Sequence, residues 1–536
     1  MKLRLICFVL FTTSLTASAQ STESYRGLLT AQVRSSKTAT PQHLHEHVVD
    51  GKLKLTLYDA IVFALENNSA IRVQEASVET AKFSLLRSLQ PFDPKLQAVL
   101  NANRSSYPGF SQIQGAGTFN DLAQTAQFNY TQTLETGTAF QIGMNGFRDS
   151  NNSLFNFLNP NYQSALNFQI TQPLLRNRWR FANTAPVVIA RTNLQTSRAT
   201  FRAQVNAALL QVIMRYWELV RAHNNLDVAR KSQDAAESTY QHDKRALELG
   251  ALPPLDIYRS ESEVASRRLQ VIQADYAVKQ AEENLRLTIG ANQDPYIEAL
   301  DIDTIEQPEA QGELLTVDIA SALKQAAESR PEILAWQQAL VADDTSIRLA
   351  HNQLLPDLEL QAFYQGRGVG GNSNFGGVVT RGGLGTSLNQ VFNFGFPGYG
   401  ASLTLNLPIK NRAAQADMGT ALVNRHRDLY SAQQTHEQIT QEVANAVHQI
   451  EQAKLSMAAG RTALDLAQKM LAAEQRKAQL GAENVFFQLD AQTRVANAEA
   501  TLLQAEVDYQ TAVASLQNAT GSLLQDYNVQ IYELTK

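Results

Sequence analysis

The sequence has almost no cysteine, no excess of positive charge and no long apolar run. Its 536 residues include one cysteine, Cys7, so no disulfide framework is expected. Beyond the N-terminal segment, no stretch approaches the roughly 18 consecutive apolar residues of a transmembrane helix. The formal charge of -5 argues against a nucleic-acid-binding protein, because phosphate contacts require a basic surface. If the chain enters a membrane, we expect it to do so through strands.

The N-terminus has the features of an export signal. Lys2 and Arg4 precede an apolar stretch from Leu5 to Leu15, and the Ala-Ser-Ala at 17–19 provides a small-residue cleavage site. We predict that residues 1–19 are a signal peptide, which leaves the mature chain without cysteine. A mature chain without cysteine cannot carry a lipid anchor at its cleavage point.

The rest of the chain reads as two copies of one pattern. Residues 55–71 (LTLYDAIVFALENNSAI) match 317–333 (VDIASALKQAAESRPEI) at an offset of 317 - 55 = 262. Each copy then continues with strand-like segments, a very long helix, a break and a second long helix. The predicted segments after the signal are a polar tail at 20–54, a first repeat at 55–290, a linker at 291–316, a second repeat at 317–521 and a C-terminal segment at 522–536.

Two of the predicted helices, at 186–249 and 412–480, are far longer than a compact domain requires. Apolar residues recur along both at spacings of three and four, which is typical of a coiled-coil stripe. At 1.5 Å per residue the first would span about 95 Å. Other helices, including those of sister chains, must cover such a stripe. Each helix ends at a leucine followed by glycine, the usual residue after a helix end. The two pairs are Leu249–Gly250 and Leu480–Gly481.

Six segments alternate between apolar and polar residues, as half-buried strands do. They are 95–103, 126–134, 138–147, 162–171, 357–365 and 399–407. Segments of about ten residues can cross a bilayer as tilted barrel strands. The strand pair at 126–147 has no counterpart in the second repeat, and the sequence leaves open whether this pair joins a barrel.

The glycine-rich linker at 366–400 begins with GRGVGG at 366–371. A phosphate-binding loop would be followed by a helix that begins with Lys-Ser or Lys-Thr, and neither dipeptide follows here. We therefore predict a long, mobile, solvated loop and no folded unit.

Few residues suggest chemistry. His43, His45 and His47 alternate and are candidate metal ligands, although a polar, surface-lying tail is the preferred interpretation. No pattern of nucleophile, base or cofactor-binding residues appears, so we predict neither an enzyme nor a cofactor. Asp256 and Asp490 each begin a helix that returns from a leucine–glycine tip. The helix dipole explains Asp256 and is one interpretation of Asp490. The alternative for Asp490 is that threefold copies form an acidic ring that attracts cations.

Taken together, the signal peptide, the doubled pattern and the two tips resemble the TolC-type outer membrane factor family over about residues 55–525. The segments that carry this resemblance are TLYDAIVFALENN at 56–68, SALKQAAESRPEI at 321–333, QPLLRN at 172–177, LELGALPPLDIYRSESEVA at 247–265 and AQLGAENVFFQLDAQTRVA at 478–496.

The resemblance implies a mixed α and β membrane protein: a trimeric, 12-stranded outer-membrane β-barrel with four strands per chain, continued by a long α-helical, coiled-coil periplasmic barrel. It implies a passive exit duct of a tripartite efflux or type I secretion system, without a cofactor, in the outer membrane and periplasm of a Gram-negative bacterium. The implied partners are a periplasmic adaptor (membrane fusion) protein, an inner-membrane pump and outer-membrane lipid.

The resemblance also implies roles for the tips. The residues expected to contact the adaptor are Leu249, Gly250, Asp256, Leu480 and Gly481. Family members often carry two aspartates one turn apart on the second tip. Asp490 matches one and Phe487 stands in place of the other, so an apolar gate is an alternative to a charged one at this candidate aperture. The alternatives for the whole chain are an exported, periplasm-spanning coiled-coil adaptor without a barrel and a stand-alone diffusion porin. The cargo and the partner pump stay open.

Overall fold

The computed structural model describes residues 44–109, 117–153, 156–249, 254–309, 314–375, 378–479 and 485–529. Its α-helices are α1 (Leu57–Asn67), α2 (Ser69–Ser88), α3 (Arg180–Glu248), α4 (Pro254–Ile289), α5 (Pro295–Glu298), α6 (Ile319–Ser329), α7 (Pro331–Gln353), α8 (Leu384–Phe392), α9 (Arg412–Gln479), α10 (Val485–Thr520) and α11 (Leu523–Asp526). Its strands are β1 (Val48–Val49), β2 (Lys52–Leu55), β3 (Lys95–Pro108), β4 (Thr118–Thr133), β5 (Ala139–Asn151), β6 (Asn161–Pro173), β7 (Asp301–Thr304), β8 (Asp357–Gly371), β9 (Ser373–Phe375), β10 (Val378–Thr380) and β11 (Phe396–Asn406).

Both long helices are present. Helix α3 has 69 residues and α9 has 68, so each is about 100 Å long at 1.5 Å per residue. Helix α3 begins before Pro186, where we expected it to start. Pro186 lacks a backbone donor, but the helix continues through it. Ala182 and Ala185 on the preceding turn are buried, and this packing extends the helix toward its N-terminus. No helix of the described ranges has an apolar stretch long enough to cross a membrane.

Helices α1 and α2 are separated by Asn68, whose backbone is extended. The first of them, α1, begins with a capping box, in which the Thr56 side chain accepts from the Asp59 amide and the Asp59 side chain accepts from the Thr56 amide. Helix α6 begins at the corresponding place, because Asp318, 318 - 56 = 262 residues later, caps it by accepting from the Ser321 amide.

A second pair of corresponding contacts involves glycines. Gly290 and Gly521 follow α4 and α10 and have φ angles of 73° and 77°. A Cβ on Gly290 would lie 2.6 Å from the Asn67 carbonyl oxygen, and one on Gly521 would lie 3.1 Å from that of Ser329. Asn67 and Ser329 are again 329 - 67 = 262 residues apart. Glycine is therefore required at both places by the left-handed backbone and by close backbone packing.

The chain divides into two compact units, each made of three segments. The first unit comprises Met1–Ser69, Gln211–Glu309 and Ala459–Val507, and the second comprises Ala70–Leu210, Ala310–Ala458 and Asp508–Lys536.

A small sheet of order β1-β2-β7 organises the core of the first unit, with β2 antiparallel to β1 and parallel to β7. Leu44, Leu53 and Leu55 are fully buried there. This corrects our expectation of a disordered or surface-lying polar tail up to residue 54. The alternating KLKL of β2 presents its leucines to the core and its lysines outward.

The second unit contains one antiparallel sheet of six strands, in the order β11-β8-β6-β5-β4-β3. All six predicted strands are present. The expectation of four strands per chain is wrong, because β4 and β5 are inserted between β3 and β6. Strand β4 pairs along its length with β3, from Thr131 opposite Lys95 to Thr118 opposite Pro108. The inserted hairpin therefore adds two strands to the sheet, and every neighbouring pair of strands remains antiparallel.

Our prediction that 366–400 is an unfolded loop is also wrong. Strand β8 continues to Gly371, β9 pairs with β10, and α8 packs on β8 before β11 begins at Phe396. The glycines of this segment allow α8 to approach the backbone of β8 closely, which composition alone does not indicate.

Candidate functional site: the strand wall and the hairpin tips

The six-stranded sheet has one apolar face. Residues that lie opposite one another on neighbouring strands point to the same side of the sheet. One row runs from Tyr399 through Tyr364, Phe168, Ile142 and Tyr130 to Leu96. Further apolar residues on this face are Leu100, Phe128, Phe140, Met144, Leu166, Ile170, Leu358, Leu360, Leu403 and Leu405. In the single chain, Leu96 is 75% exposed and Leu403 is 62% exposed. An exposed apolar surface of this extent marks a contact with lipid or protein.

The opposite face is mostly polar, although it also carries Val99, Phe147 and Phe363. It carries mainly uncharged side chains, namely Gln97, Asn101, Thr125, Gln127, Asn129, Gln141, Asn145, Asn167, Gln169, Gln361, Gln365, Ser402 and Thr404. A sheet with one apolar and one polar face matches the wall of a transmembrane barrel, in which lipid meets one side and a water-filled lumen the other.

The apolar band crosses the sheet diagonally. On β8 the band runs from Leu358 to Tyr364, whereas on β3 it runs from Leu96 to Ala102. Tyr364 and Leu96 lie in the same row of paired residues. This row is therefore the last of the band on β8 and the first of the band on β3. A horizontal apolar band across such a sheet requires strands that are tilted relative to the membrane normal, as barrel strands are.

Both edges of this sheet are open. Among the described strands, β3 pairs only with β4 and β11 only with β8. An edge strand presents a row of backbone donors and acceptors that can pair with another chain.

The two described tip residues, Leu249 and Asp256, lie in the first unit. Leu249 follows α3 and is 84% exposed, and Asp256 lies in the first turn of α4. The positions Gly250, Leu480 and Gly481 lie outside the described residues, so their roles stay predictions.

The candidate aperture residues lie near the start of α10. Phe487 is 51% exposed and precedes Asp490 by three residues, so the two side chains share one helix face. Asp490 Oδ2 accepts a hydrogen bond from Arg494 Nε at 2.7 Å. Because both partners are partly exposed, this ion pair contributes little stability, but it balances much of the charge of Asp490.

Buried polar contacts behind the tips were not predicted. The Ser260 hydroxyl donates to the carboxylate of Asp243, and both side chains are buried. Asp243 lies seven residues after the buried Ala236, so it occupies a position in the apolar stripe of α3. An acidic residue in that stripe is the sequence feature that could have indicated a buried polar contact. Arg267 is also buried, and it joins Glu263 on its own helix to Thr493 on α10. These contacts connect α3 with α4 and α4 with α10.

A buried carboxyl group lies between α9 and α10. Burial of Glu506 raises its pKa, and the nearby carboxylate of Glu309 raises it further. Arg461 lies 3.8 Å away and acts in the opposite direction. Because burial disfavours the ionised form, Glu506 favours the protonated state more than an exposed glutamate does.

The described histidines of the tail have separate partners. His45 Nε2 lies 2.7 Å from Asp294 Oδ2 and stacks on Tyr296, whereas His47 Nδ1 lies 3.7 Å from Asp59 Oδ2. His43 lies outside the described residues. In the part of the chain that the structure describes, no group of three or more His, Cys, Asp or Glu residues could hold a metal ion.

The family described as "Outer membrane efflux protein" matches residues 60–291 and 322–522, which is most of the chain. The chain belongs to the outer membrane efflux protein family. It is an exit duct of the outer membrane. Family membership and the two-faced sheet set aside the alternative of an exported adaptor without a barrel.

Similar proteins agree with this membership. Outer membrane protein TolC of Escherichia coli (strain K12) is 24% identical over 387 residues, covering 71% of this chain and 72% of TolC. Outer membrane efflux protein BepC of Brucella suis is 24% identical over 342 residues, covering 63% of this chain and 69% of BepC. The Campylobacter jejuni CmeC outer membrane channel has a similar fold, with a TM-score of 0.62 at 15% identity over 87% of this chain and 86% of CmeC. Their names describe an outer membrane protein, an outer membrane efflux protein and an outer membrane channel.

Proposed function

We propose that this outer membrane efflux protein is a homotrimer whose three sheets close one barrel of 3 × 6 = 18 strands. The two open sheet edges carry this proposal. Six strands are fewer than the roughly eight of the smallest membrane barrels, so one copy cannot close a barrel by itself. Because six is an even number, the edge strands β3 and β11 run in opposite directions. Copies related by rotation therefore pair β3 with β11 antiparallel, like every other pair in the sheet.

Three copies are favoured over two by the resemblance to trimeric channels and by the lumen face. Barrel diameter grows roughly in proportion to strand number, so eighteen strands enclose a wide, water-filled lumen. The uncharged polar side chains of the lumen face suit such a lumen. The inserted hairpin β4–β5 then accounts for the difference from the twelve strands that we expected.

We further propose that the chain arose by internal duplication. The matched helix caps Thr56 and Asp318 support it, as do the matched glycines Gly290 and Gly521. In each trimer the long helices of both repeats would form the periplasmic tunnel. Exposed apolar residues on α9, such as Val423, are available to contact sister chains.

The proposed activity is passive conduction. The duct receives substrates from a periplasmic adaptor and an inner-membrane pump, which supplies the energy, and releases them to the exterior. We propose that both leucine–glycine tips contact the adaptor, and that they move apart to open the tunnel. The buried contacts of Asp243 and Arg267 would hold neighbouring helices together behind the tips during that movement.

The narrow end of the tunnel would carry three copies of Phe487 and Asp490. Since Arg494 pairs with Asp490, the acidic ring is weaker than three free carboxylates would be. The exposed Phe487 one turn away adds an apolar component to the constriction. Both features favour a mixed charged and apolar gate.

A cross-linking ladder tests the trimer. Cys7 is the only cysteine, so a C7S background is free of competing thiols. Asn101→Cys on β3 and Ser402→Cys on β11 place one thiol on each edge strand, on the lumen face. The edges of one sheet are separated by about five strand spacings of 4.8 Å, or roughly 24 Å, so a short bismaleimide links neighbouring copies only.

We expect a denaturing gel of the intact outer membrane to show linked species of two and three chains, with three as the largest. The single variants N101C and S402C should give no species of three. A ladder that stops at two chains, or one that continues beyond three, would contradict the trimer.

A further inference from the structure

Helix α8 lies on the apolar face of the sheet. Gly366, Gly368 and Gly370 alternate along β8, so all three point to the face that carries Tyr364. The Ser387 hydroxyl donates to the Gly368 carbonyl oxygen at 2.8 Å, and Ser387 is fully buried. A Cβ on Gly368 would collide with the Ser387 carbonyl oxygen. The three glycines therefore form a groove in which α8 lies against the backbone of β8.

The groove lies next to the apolar band, because both are formed by consecutive residues of β8. On β8 the band ends at Tyr364, and the glycines follow directly on the same face. Val391, near the end of α8, packs over Gly366, and the Phe394 ring lies 6.0 Å from that of Tyr364. Helix α8 thus descends from the far end of β8 to the border of the band. Strand β8 starts next to α7, so this border is on the side away from the helices, which is the extracellular side of the duct.

The surface that α8 turns away from the sheet is apolar on one side and uncharged throughout. No Asp, Glu, Lys, Arg or His occurs from residue 382 to residue 409. Leu384, Phe392 and Phe394 are all exposed, and Phe394 is 63% exposed. The exposed polar residue Thr386 precedes Phe392 by six residues and so lies about 120° away from it around the helix. Exposed aromatic residues at the border of a lipid-facing band are typical of the membrane interface.

We propose that α8 and residues 393–395 form a lipid anchor, which inserts Phe392 and Phe394 into the outer leaflet at the extracellular border of the apolar band. The occupant of this surface is lipid, because the surface continues the lipid-facing wall and offers no charge to a protein or carbohydrate partner. The anchor fixes the depth of the barrel at one site per copy. This inference rests on the proposed barrel.

Spin labels test it in the full chain, reconstituted into phosphatidylcholine vesicles on the C7S background. Phe392→Cys and Thr386→Cys each carry a nitroxide on α8, and Ile142→Cys carries one in the band on β5, away from α8. Collision with lipid-soluble oxygen is compared with collision with a water-soluble nickel chelate. Heat-modifiable migration selects folded protein for each variant.

We expect oxygen to dominate at positions 392 and 142, and the nickel chelate to dominate at 386. If the label at 142 is in lipid and that at 392 is in water, the anchor is overturned while the barrel stands. If neither reagent reaches 392, a neighbouring copy covers α8, and the anchor is likewise overturned. If the label at 142 is in water, the proposed wall is wrong and the anchor fails with it.

Discussion

The assignment of the two sheet faces leads to opposite expectations for two neighbouring residues. Ile142 lies on the apolar face of β5, opposite Tyr130 and Phe168. Gln141 lies on the polar face of the same strand, at almost the same depth. We compare Ile142→Arg with Gln141→Arg, because the two variants add the same side chain one residue apart.

The expected magnitudes differ because the surroundings differ. Ile142 is at the centre of the apolar band on β5, between Phe140 and Met144. An arginine on the lipid face of a membrane barrel costs about 2 to 4 kcal/mol at the bilayer midplane. With one arginine per copy, a trimer loses about 6 to 12 kcal/mol. The Gln141→Arg side chain enters the aqueous lumen, where a surface substitution changes the free energy of unfolding by about 0.5 kcal/mol or less.

The measurement is urea-induced unfolding of the protein in lipid vesicles, with heat-modifiable migration reporting the folded fraction. We expect a lower unfolding midpoint for Ile142→Arg and a midpoint close to that of the parent protein for Gln141→Arg. Equal midpoints for the two variants, or a greater loss for Gln141→Arg, would refute the assignment of the faces. Since β5 belongs to the inserted hairpin, an unchanged midpoint for Ile142→Arg would also exclude this hairpin from the lipid-facing wall.

Three further predictions concern the helices. Gly290→Ala should destabilise the fold by about 1 to 3 kcal/mol through its left-handed backbone, and its methyl group would meet the Asn67 carbonyl oxygen. In contrast, Gly419→Ala in α9, where a Cβ meets no atom, should be neutral or stabilising by about 1 kcal/mol; equal losses in thermal unfolding would contradict this. For Glu506→Gln we expect higher stability than the parent at neutral pH and a difference that shrinks in acid. The raised pKa of Glu506 means that its contribution is fully present below the ordinary glutamate pKa and is lost as the pH rises through the raised value; a pH-independent difference in urea midpoint would oppose this reasoning. Finally, Asp490→Ala should weaken the block of single-channel current by divalent cations, and an unchanged block would remove the acidic ring.

Local patterns predicted much of the secondary structure. The six alternating segments are all strands, and the two long stripes are both continuous helices. Such patterns are readable because a side chain alternates between faces in a strand and returns to one face every three or four residues in a helix. The resemblance to a known family, carried by a few short segments, was sufficient to predict the exit duct in the outer membrane.

Contacts between residues that are distant in the sequence were harder to predict. The packing of α8 in the groove of β8 depends on three glycines, whose composition equally suits a loop. His45 pairs with Asp294, 249 positions later, and nothing near either residue indicates the other. The buried Asp243 in the stripe of α3 carried a signal, but its partner Ser260 could be identified only from the structure.

The sequence by itself therefore determined which segments are strands and long helices, and which side of each strand is apolar. Only the tertiary structure decided that the hairpin β4–β5 lies between β3 and β6, so that the sheet of one chain has six strands and not four. The physical reason is that alternation is a property of one strand, whereas pairing is made by backbone groups that every strand shares. The order of strands in the sheet thus depends on the arrangement of the whole chain.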